Sequence, residues 1–170
     1  MPIERTSRRV AAKRLRELAC ALLDASTLCA IATVSTGGRA HANTAYFAWT
    51  PELDLVWLSD RAARHSRNLR ASADAAVVVY DSAQAWGRPD RGIQLFGTAG
   101  EAEDPDTVAA YVRRFPELGD SERSPYRFYR FRPKRVKLFD EHALGAGTFV
   151  TARVSAGGAL VWERTDVYRS

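Results

Sequence analysis

The chain has 170 residues, 46% of them hydrophobic and 26% charged, a balance that excludes a disordered chain and sets the expectation of one folded domain with a sizeable core. Its formal net charge is +5, and arginine carries nearly all of the excess, because Lys13, Lys134 and Lys137 are the only lysines. Arginine-borne basicity suits phosphate or carboxylate ligands, and it also suits nucleic acid.

Cys20 and Cys29 lack metal-ligand spacing and sit in apolar runs, so they read as small hydrophobic residues rather than a disulfide framework. The histidines His41, His65 and His142 are scattered and form no zinc motif, so no metal is expected. No apolar run approaches the roughly 18 residues of a membrane span, and the first residues carry charges where a signal peptide has its apolar segment. The cytoplasm is the expected location.

In chain order, residues 1–8 are polar and basic and read as a frayed end. From Val10 to Leu23, apolar residues recur at helical spacing and predict an amphipathic helix over the core. Leu28 to Val34 predicts a strand, Ser35-Thr36-Gly37-Gly38 a turn, and Ala40 to Trp49 a second strand. Alternation along that second strand puts His41 and Asn43 on one face with Phe47 and Trp49. There they either reach solvent at an edge or line a pocket for a planar polar ligand, which the small Ala42 and Ala45 would admit close to the backbone.

Leu55 to Ser59 predicts a third strand, and Ser59 and Asp60 are both N-cap residue types for a helix that follows directly. Arg61, Arg64, His65 and Arg67 then crowd cations at the positive end of that helix, where anions are favoured. Two readings stand: a solvated basic helix, or a seat for a polyanion, most simply a phosphate.

Ala75 to Tyr80 predicts a buried strand. In the long loop Asp81 to Arg91, Trp86 with Arg88 and Arg91 either caps a site or packs the loop down. Gly92 to Ala102 predicts a strand whose glycines mark a bulge or a barrel corner. Asp104-Pro105 caps a helix over Asp106 to Phe115, and Glu117 to Pro125 reads as a polar loop. Tyr126 to Arg132 and Arg135 to Phe139 read as two strand pieces separated by Pro133, which belongs at an edge or a bulge. Asp140 to Gly147 reads as loop, Thr148 to Val154 as a strand, and Leu160 to Tyr168 as a last strand after a Gly-Gly turn. Seven or eight strands in hairpin order, with two substantial helices and one short one, predict an antiparallel barrel.

Four blocks carry a resemblance. They are Leu28 to Val34 with His41-Ala-Asn-Thr-Ala-Tyr-Phe47, then Leu55 to Asp60 leading into Ala63-Arg-His-Ser-Arg-Asn-Leu69, then Val77 to Tyr80, and last Gly92 to Ala99. In order and spacing these resemble the flavin-binding split barrels related to pyridoxamine 5′-phosphate oxidase, over roughly residues 10–140. The resemblance implies a mainly β, Greek-key-like, six-stranded split barrel with extra edge strands and two to three flanking helices. It also implies a homodimer with FMN in two clefts between subunits.

Carried over by position, His41, Ala42, Asn43 and Thr44 would follow the isoalloxazine ring, and Leu58 and Ser59 would lie beside the ribityl phosphate. Arg64 and His65 occupy the positions of the family's phosphate-gripping Arg-Lys pair, Arg67 assists one turn on, and Gln94 reaches the ring edge from the partner side. Two positions depart from the pattern: Ala63 stands where the family often has Ser, and His65 where it has Lys. The substrate motif of true pyridoxamine phosphate oxidases is not recognisable near the C-terminal end. The function implied is an FMN-dependent oxidoreductase acting on a small molecule, with no acid or base assigned to catalysis. The alternatives are a deazaflavin-dependent reductase and a non-catalytic flavin- or haem-binding protein, with His41 or His142 as the haem ligand. Nucleic-acid binding ranks third, because aromatic residues alternate with arginine only from Tyr126 to Arg132.

Overall fold

In a computed structural model, residues 3–117 and 125–168 are described. They form β1 (Ile3–Thr6), α1 (Ala12–Asp24), β2 (Leu28–Val34), β3 (Ala40–Trp49), β4 (Leu55–Asp60), α2 (Arg64–Ala71) and β5 (Asp74–Tyr80). The chain continues through β6 (Arg91–Glu101), α3 (Pro105–Arg114), β7 (Tyr126–Asp140), α4 (Glu141–Leu144), β8 (Thr148–Val154) and β9 (Leu160–Tyr168).

All strand pairs are antiparallel, in the order β1-β9-β8-β7-β4-β3-β2-β5-β6, and β6 pairs back onto β7. Closure of β6 on β7 makes a six-stranded antiparallel barrel of β2 to β7, which is the expected split barrel with extra strands. β7 is long enough to serve two neighbours on one side: Tyr126 to Phe131 pair with β4, and Arg135 to Phe139 pair with β8.

Alternation sets the interior. Ile31, Val77, Leu95, Val136 and Leu138 fill it from successive strands, while their sequence neighbours face outward. The amphipathic α1 closes one mouth by burying Leu15, Leu18, Ala19, Leu22 and Leu23, each leucine contributing about 2 kcal/mol relative to an exposed one. α3 covers the outer face of β3 and β4, where Tyr111 packs on Ala48, Val56 and Phe128. Its N-terminus is capped as expected, with Asp104 Oδ1 accepting from the Thr107 amide at 3.1 Å and Pro105 in the first turn.

Two glycines are required by geometry. Gly38 closes the β2–β3 turn with φ 74°, a conformation that side chains disfavour. Gly97 faces Pro133 at the register shift between β6 and β7, and a Cβ there would press on the Arg132 carbonyl and on Pro133 Cα at 2.8 Å. Pro133 thus sits at a bulge, and β7 runs through it as one strand rather than as two pieces.

Several expectations are corrected. Residues Ile3–Thr6 are not frayed but form β1, paired with β9 from Ile3↔Tyr168 to Thr6↔Thr165. Main-chain pairing, which a polar edge strand shares with an apolar one, holds it there. The stretch Asp140 to Gly147 contains the short α4, capped by Asp140 accepting from the Ala143 amide at 3.1 Å. The described residues hold nine strands rather than seven or eight, and beside the three expected helices they hold the one-turn α4 and a 3-10 turn at Ala156–Gly158. Trp86 packs nothing down, being fully exposed. Of the loop expected over Glu117 to Pro125, residues 118–124 lie outside the described residues, as do residues 1–2 of the expected frayed end. Among the described residues, no helix is long and apolar enough to cross a membrane.

Candidate cofactor site at the β3 edge and the start of α2

β4 runs on to Asp60 because its pairing with β7 continues to Asp60↔Tyr126. α2 therefore begins at Arg64, four residues later than the cap-type side chains predict, with Ala63 at the N-cap and no side-chain cap bond. Asp60 folds the intervening turn: its Oδ1 accepts from the Ala62 amide at 2.6 Å, and its carbonyl accepts from the Ala63 amide at 3.1 Å. The first helical bond runs from the Arg67 amide to the Ala63 carbonyl at 3.0 Å. The amides of Arg64, His65 and Ser66 thus point out of the helix with no acceptor among the described residues.

α2 has two unlike faces. Arg64, Arg67 and Arg70 are exposed, whereas His65, Ser66, Asn68 and Leu69 are buried. His65 Nε2 lies 2.6 Å from Ser59 Oγ, and Ser66 Oγ donates to the same oxygen at 3.4 Å. Asn68 donates to Thr33 Oγ1 at 3.0 Å, on the β2 residue that pairs with His41. Burial holds the His65 imidazole below its ordinary pKa, with a smaller push from His41, which favours the neutral ring; its tautomer sets which partner donates in the bond with Ser59. Its ring also meets Tyr129 edge-on at 6.5 Å.

β3 is the second component. It pairs with β2 from Leu28↔Tyr46 to Val34↔Ala40, but with β4 only from Phe47↔Trp57 to Trp49↔Leu55. From Ala40 to Tyr46, the edge turned away from β2 presents main-chain donors and acceptors that have no partner strand among the described residues. An edge of that kind is a template for a further hydrogen-bonding partner. Asn43 on the same stretch is half-buried, and its Oδ1 is buried without a hydrogen-bond partner among the described residues. Inside the barrel nearby, Trp57 stacks on Tyr129 at 6.0 Å, and the Trp57 Nε1 and Tyr129 hydroxyl are likewise unpartnered.

The structure brings Ser59 and His65 into contact and sets His41 close enough for their charges to interact. Arg64 stands exposed with no ion-pair partner among the described residues, and Arg67 turns back to donate to the Ala62 carbonyl. Ala42 and Thr44 are exposed on the outer face of β3, opposite the side of His41 and Asn43. Leu58 is half-buried and packs toward Tyr111 and Phe128 under α3, away from Ser59. Gln94 shares the outer sheet face with Thr44 along the row Thr44, Ala30, Val78, Gln94. Three strand spacings separate the two, roughly 14 Å, so one chain does not bring Gln94 to β3. His142 is exposed on α4.

Sequence reasoning missed Thr33, Ser66 and Asn68, whose network carries α2. Their signal was the placing of small polar residues between arginines that recur every third residue. It also missed an outer sheet face on which Leu28, Val34, Tyr46, Tyr80 and Phe96 are each 43–58% exposed.

A family profile described as pyridoxamine 5′-phosphate oxidase matches residues 15–140. No curated protein matches the chain. Among solved structures, a haem-binding protein from Mycobacterium smegmatis is similar with a TM-score of 0.70 at 20% identity, over 89% of this chain and 61% of that one. HutZ, the haem storage protein from Vibrio cholerae, has a TM-score of 0.59 at 20% identity, over 67% of this chain and 86% of that one. A pyridoxamine 5′-phosphate oxidase-related, FMN-binding protein from Nostoc punctiforme has a TM-score of 0.62 at 13% identity, over 92% of this chain and 97% of that one.

Proposed function

The chain belongs to the pyridoxamine 5′-phosphate oxidase family, and on that premise we propose that it is a cytoplasmic FMN-dependent oxidoreductase acting as a homodimer on a small molecule. The observation that carries this reading is the meeting of two unsatisfied main-chain surfaces: the open β3 edge from Ala40 to Tyr46, and the open first turn of α2 beside Arg64.

The residues present fit the group. A flavin's pyrimidine-like edge alternates donors and acceptors, which is what an unpaired strand edge complements. Asn43 Oδ1, buried and unpartnered among the described residues, needs a donor that none of them supplies. Ala42 and Ala45 keep bulk away from the backbone. The phosphate is held by the three open amides and the Arg64 fork, with Arg67 adding charge at the turn.

His65, in place of the usual cation, does a different job. Turned inward and neutral, it fixes Ser59 at the end of β4 and so sets where the turn presents Arg64. Bound flavin supplies the acceptance and return of a hydride or electron pair, and the chain supplies orientation and a polar edge.

What supports a homodimer is the bare outer face of β2, β5 and β6, where Leu28, Val34, Tyr80 and Phe96 lie exposed. A second copy seated there would bring its Gln94 within reach of β3, which one chain does not. The free thiols of Cys20 and Cys29 accord with a reducing compartment.

The test is the absorbance spectrum of the purified protein, mass spectrometry of what it releases on denaturation, and titration with FMN and riboflavin. Flavin bands and a marked preference for FMN are expected; no flavin and no binding would overturn the reading. A deazaflavin retained in preference to FMN would shift it to a deazaflavin-dependent reductase. Two of the similar structures are haem-binding, and His41 lies half-buried at the open edge, which supports haem as the second reading. A Soret band on haem addition that disappears in His41→Ala would favour it.

A further inference from the structure

The bare outer face of the sheet has a centre. Its exposed apolar side chains are Tyr46 on β3, Leu28 and Val34 on β2, Tyr80 on β5 and Phe96 on β6, and the strand order β3-β2-β5-β6 puts the middle of that set between β2 and β5. A face shared by two copies is self-complementary and is generated by a two-fold axis. With that axis parallel to the strands and between β2 and β5, β6 of each copy lies over β3 of the other, and residues keep their row across the interface. The row Thr44, Ala30, Val78, Gln94 then meets its own reverse, with Gln94 of one copy over Thr44 of the other.

The row does not stop at Gln94. Lys137 on β7 is its neighbour across the next strand pair, and Thr151 on β8 follows. Under the same axis, one strand beyond β6 in one copy corresponds to one strand beyond β3 in the other, where the edge from Ala40 to Tyr46 has no partner strand among the described residues. Lys137 therefore faces that open edge, roughly 5 Å further out than Gln94. Its ammonium is uncommitted: Nζ stands 4.4 Å from the centroid of the Phe149 ring and 5.9 Å from that of Tyr168, and makes no hydrogen bond or ion pair among the described residues. The flanking carboxylates are engaged, Asp140 with Arg91 at 3.7 Å, and Asp166 with Arg5 at 3.7 Å and Arg164 at 2.9 Å. Thr151 Oγ1, next in the row, is buried and also lacks a partner among the described residues. Ring faces hold a cation without neutralising it, so the charge of Lys137 is left to act outward.

We propose that Lys137 completes the flavin seat of the opposite copy, its ammonium set against the carbonyl-bearing edge of the ring beside β3. The inference rests on the flavin and homodimer reading above and adds to it a cation supplied across the interface. Within one copy the exposed arginines of the seat gather at α2, at the phosphate end. A cation at the ring edge stabilises the negative charge that the ring gains on reduction, so Lys137 raises the tendency of bound flavin to hold an electron pair.

The first test is the reduced-to-oxidised ratio of bound FMN at equilibrium with a reference dye, in the full wild-type chain and in Lys137→Met. The ratio is expected to fall about tenfold, or about 30 mV for a two-electron couple, and to be largely kept in Lys137→Arg. Lys137→Gln is the second neutral variant should the methionine one melt low. A ratio that moves less than about twofold on loss of the charge overturns the inference.

A heterodimer shows which copy supplies the residue. With Arg64→Gln in one copy and Lys137→Met in the other, purified through two different tags, it has one intact seat and one doubly impaired seat when Lys137 acts across the interface. Half of the sites are then expected to bind FMN with wild-type affinity and to show the wild-type ratio. Were Lys137 to serve its own copy, every site would carry one defect, and the absence of any intact site overturns the inference. A monomer that binds FMN overturns it too. A protein that binds no flavin refutes the flavin reading and this inference together, whereas flavin binding with an unchanged ratio in the neutral variants refutes this inference alone.

Discussion

Replacing Arg64 by Gln tests the cofactor seat most directly, because the side chain is exposed, makes no hydrogen bond among the described residues, and so supports no part of the fold. A charge-assisted hydrogen bond is worth about 1.5–3 kcal/mol, the upper end applying to desolvated pairs. Arg64 is exposed, so solvent screening places it at the lower half of that range. The three open amides of α2 and the guanidinium of Arg67, folded back to Ala62, also remain to hold the anion. A loss of about 2 kcal/mol is expected, or roughly 30-fold in the FMN dissociation constant. Quenching of flavin fluorescence measures it, and riboflavin, which lacks the phosphate, is the internal control. Its affinity is expected to change less than about twofold, since no charge-assisted bond is removed. If Arg64→Gln weakens FMN and riboflavin equally, or leaves FMN untouched, the phosphate does not sit at this turn.

Three other outcomes follow from the same geometry. His65 is held below its ordinary pKa by burial, so the unfolded chain binds the proton more readily than the native one; stability is full above about pH 6.5 and is lost as pH falls below that value toward the lowered native pKa. Thermal melts between pH 8 and 5 are expected to show this loss and to show it flattened in His65→Gln; an unchanged slope would refute the buried neutral ring. Gly97→Ala forces a methyl against the Arg132 carbonyl and Pro133 at the β6–β7 bulge, where backbone rather than a flexible side chain must give way. A cost of about 3 kcal/mol in urea unfolding is expected, and under 1 kcal/mol would mean that the bulge relaxes freely. Cys29 is buried with its thiol pushed up to about 12, so iodoacetamide at pH 8 should spare it in the native protein and label it once denatured; rapid native labelling would contradict its placement.

How far the sequence could be read depended on whether the deciding contact was local. β2, β3, β5 and β8 were legible because a period-two pattern with turn residues at each end is a local signal, and Asp104-Pro105 marked α3 for the same reason. The start of α2 was not. Ser59 and Asp60 are cap residues by type, yet β7, some seventy residues away in sequence, keeps them in β4 through Ser59↔Arg127 and Asp60↔Tyr126. The Ser59 hydroxyl, free to cap a helix as judged locally, is instead engaged by His65. β1 escaped notice for a similar reason, because its partner β9 lies at the other end of the chain.

Arg64 and His65 illustrate the limit within the site itself. Read as the family's adjacent pair of cations, they share one task, the grip on a phosphate. Adjacent residues on a helix, however, are about 100° apart, so both cannot face one ligand unless their side chains bend around the first turn. A flexible lysine can make that bend, whereas an imidazole on a single methylene reaches only what lies directly before it. Histidine at this position therefore goes where the helix aims it, to Ser59 and Tyr129 in the barrel mouth, and of the pair only Arg64 stands exposed. Arg67 and Arg70 both return to the turn that precedes the helix, to the carbonyls of Ala62 and Arg61. With histidine at position 65 the exposed positive charge of α2 is carried by the arginines alone. Placing lysine there gives the discriminating measurement: His65→Lys should strengthen FMN binding and leave riboflavin binding unchanged. An FMN affinity that does not change would mean that residue 65 stays turned inward even as lysine.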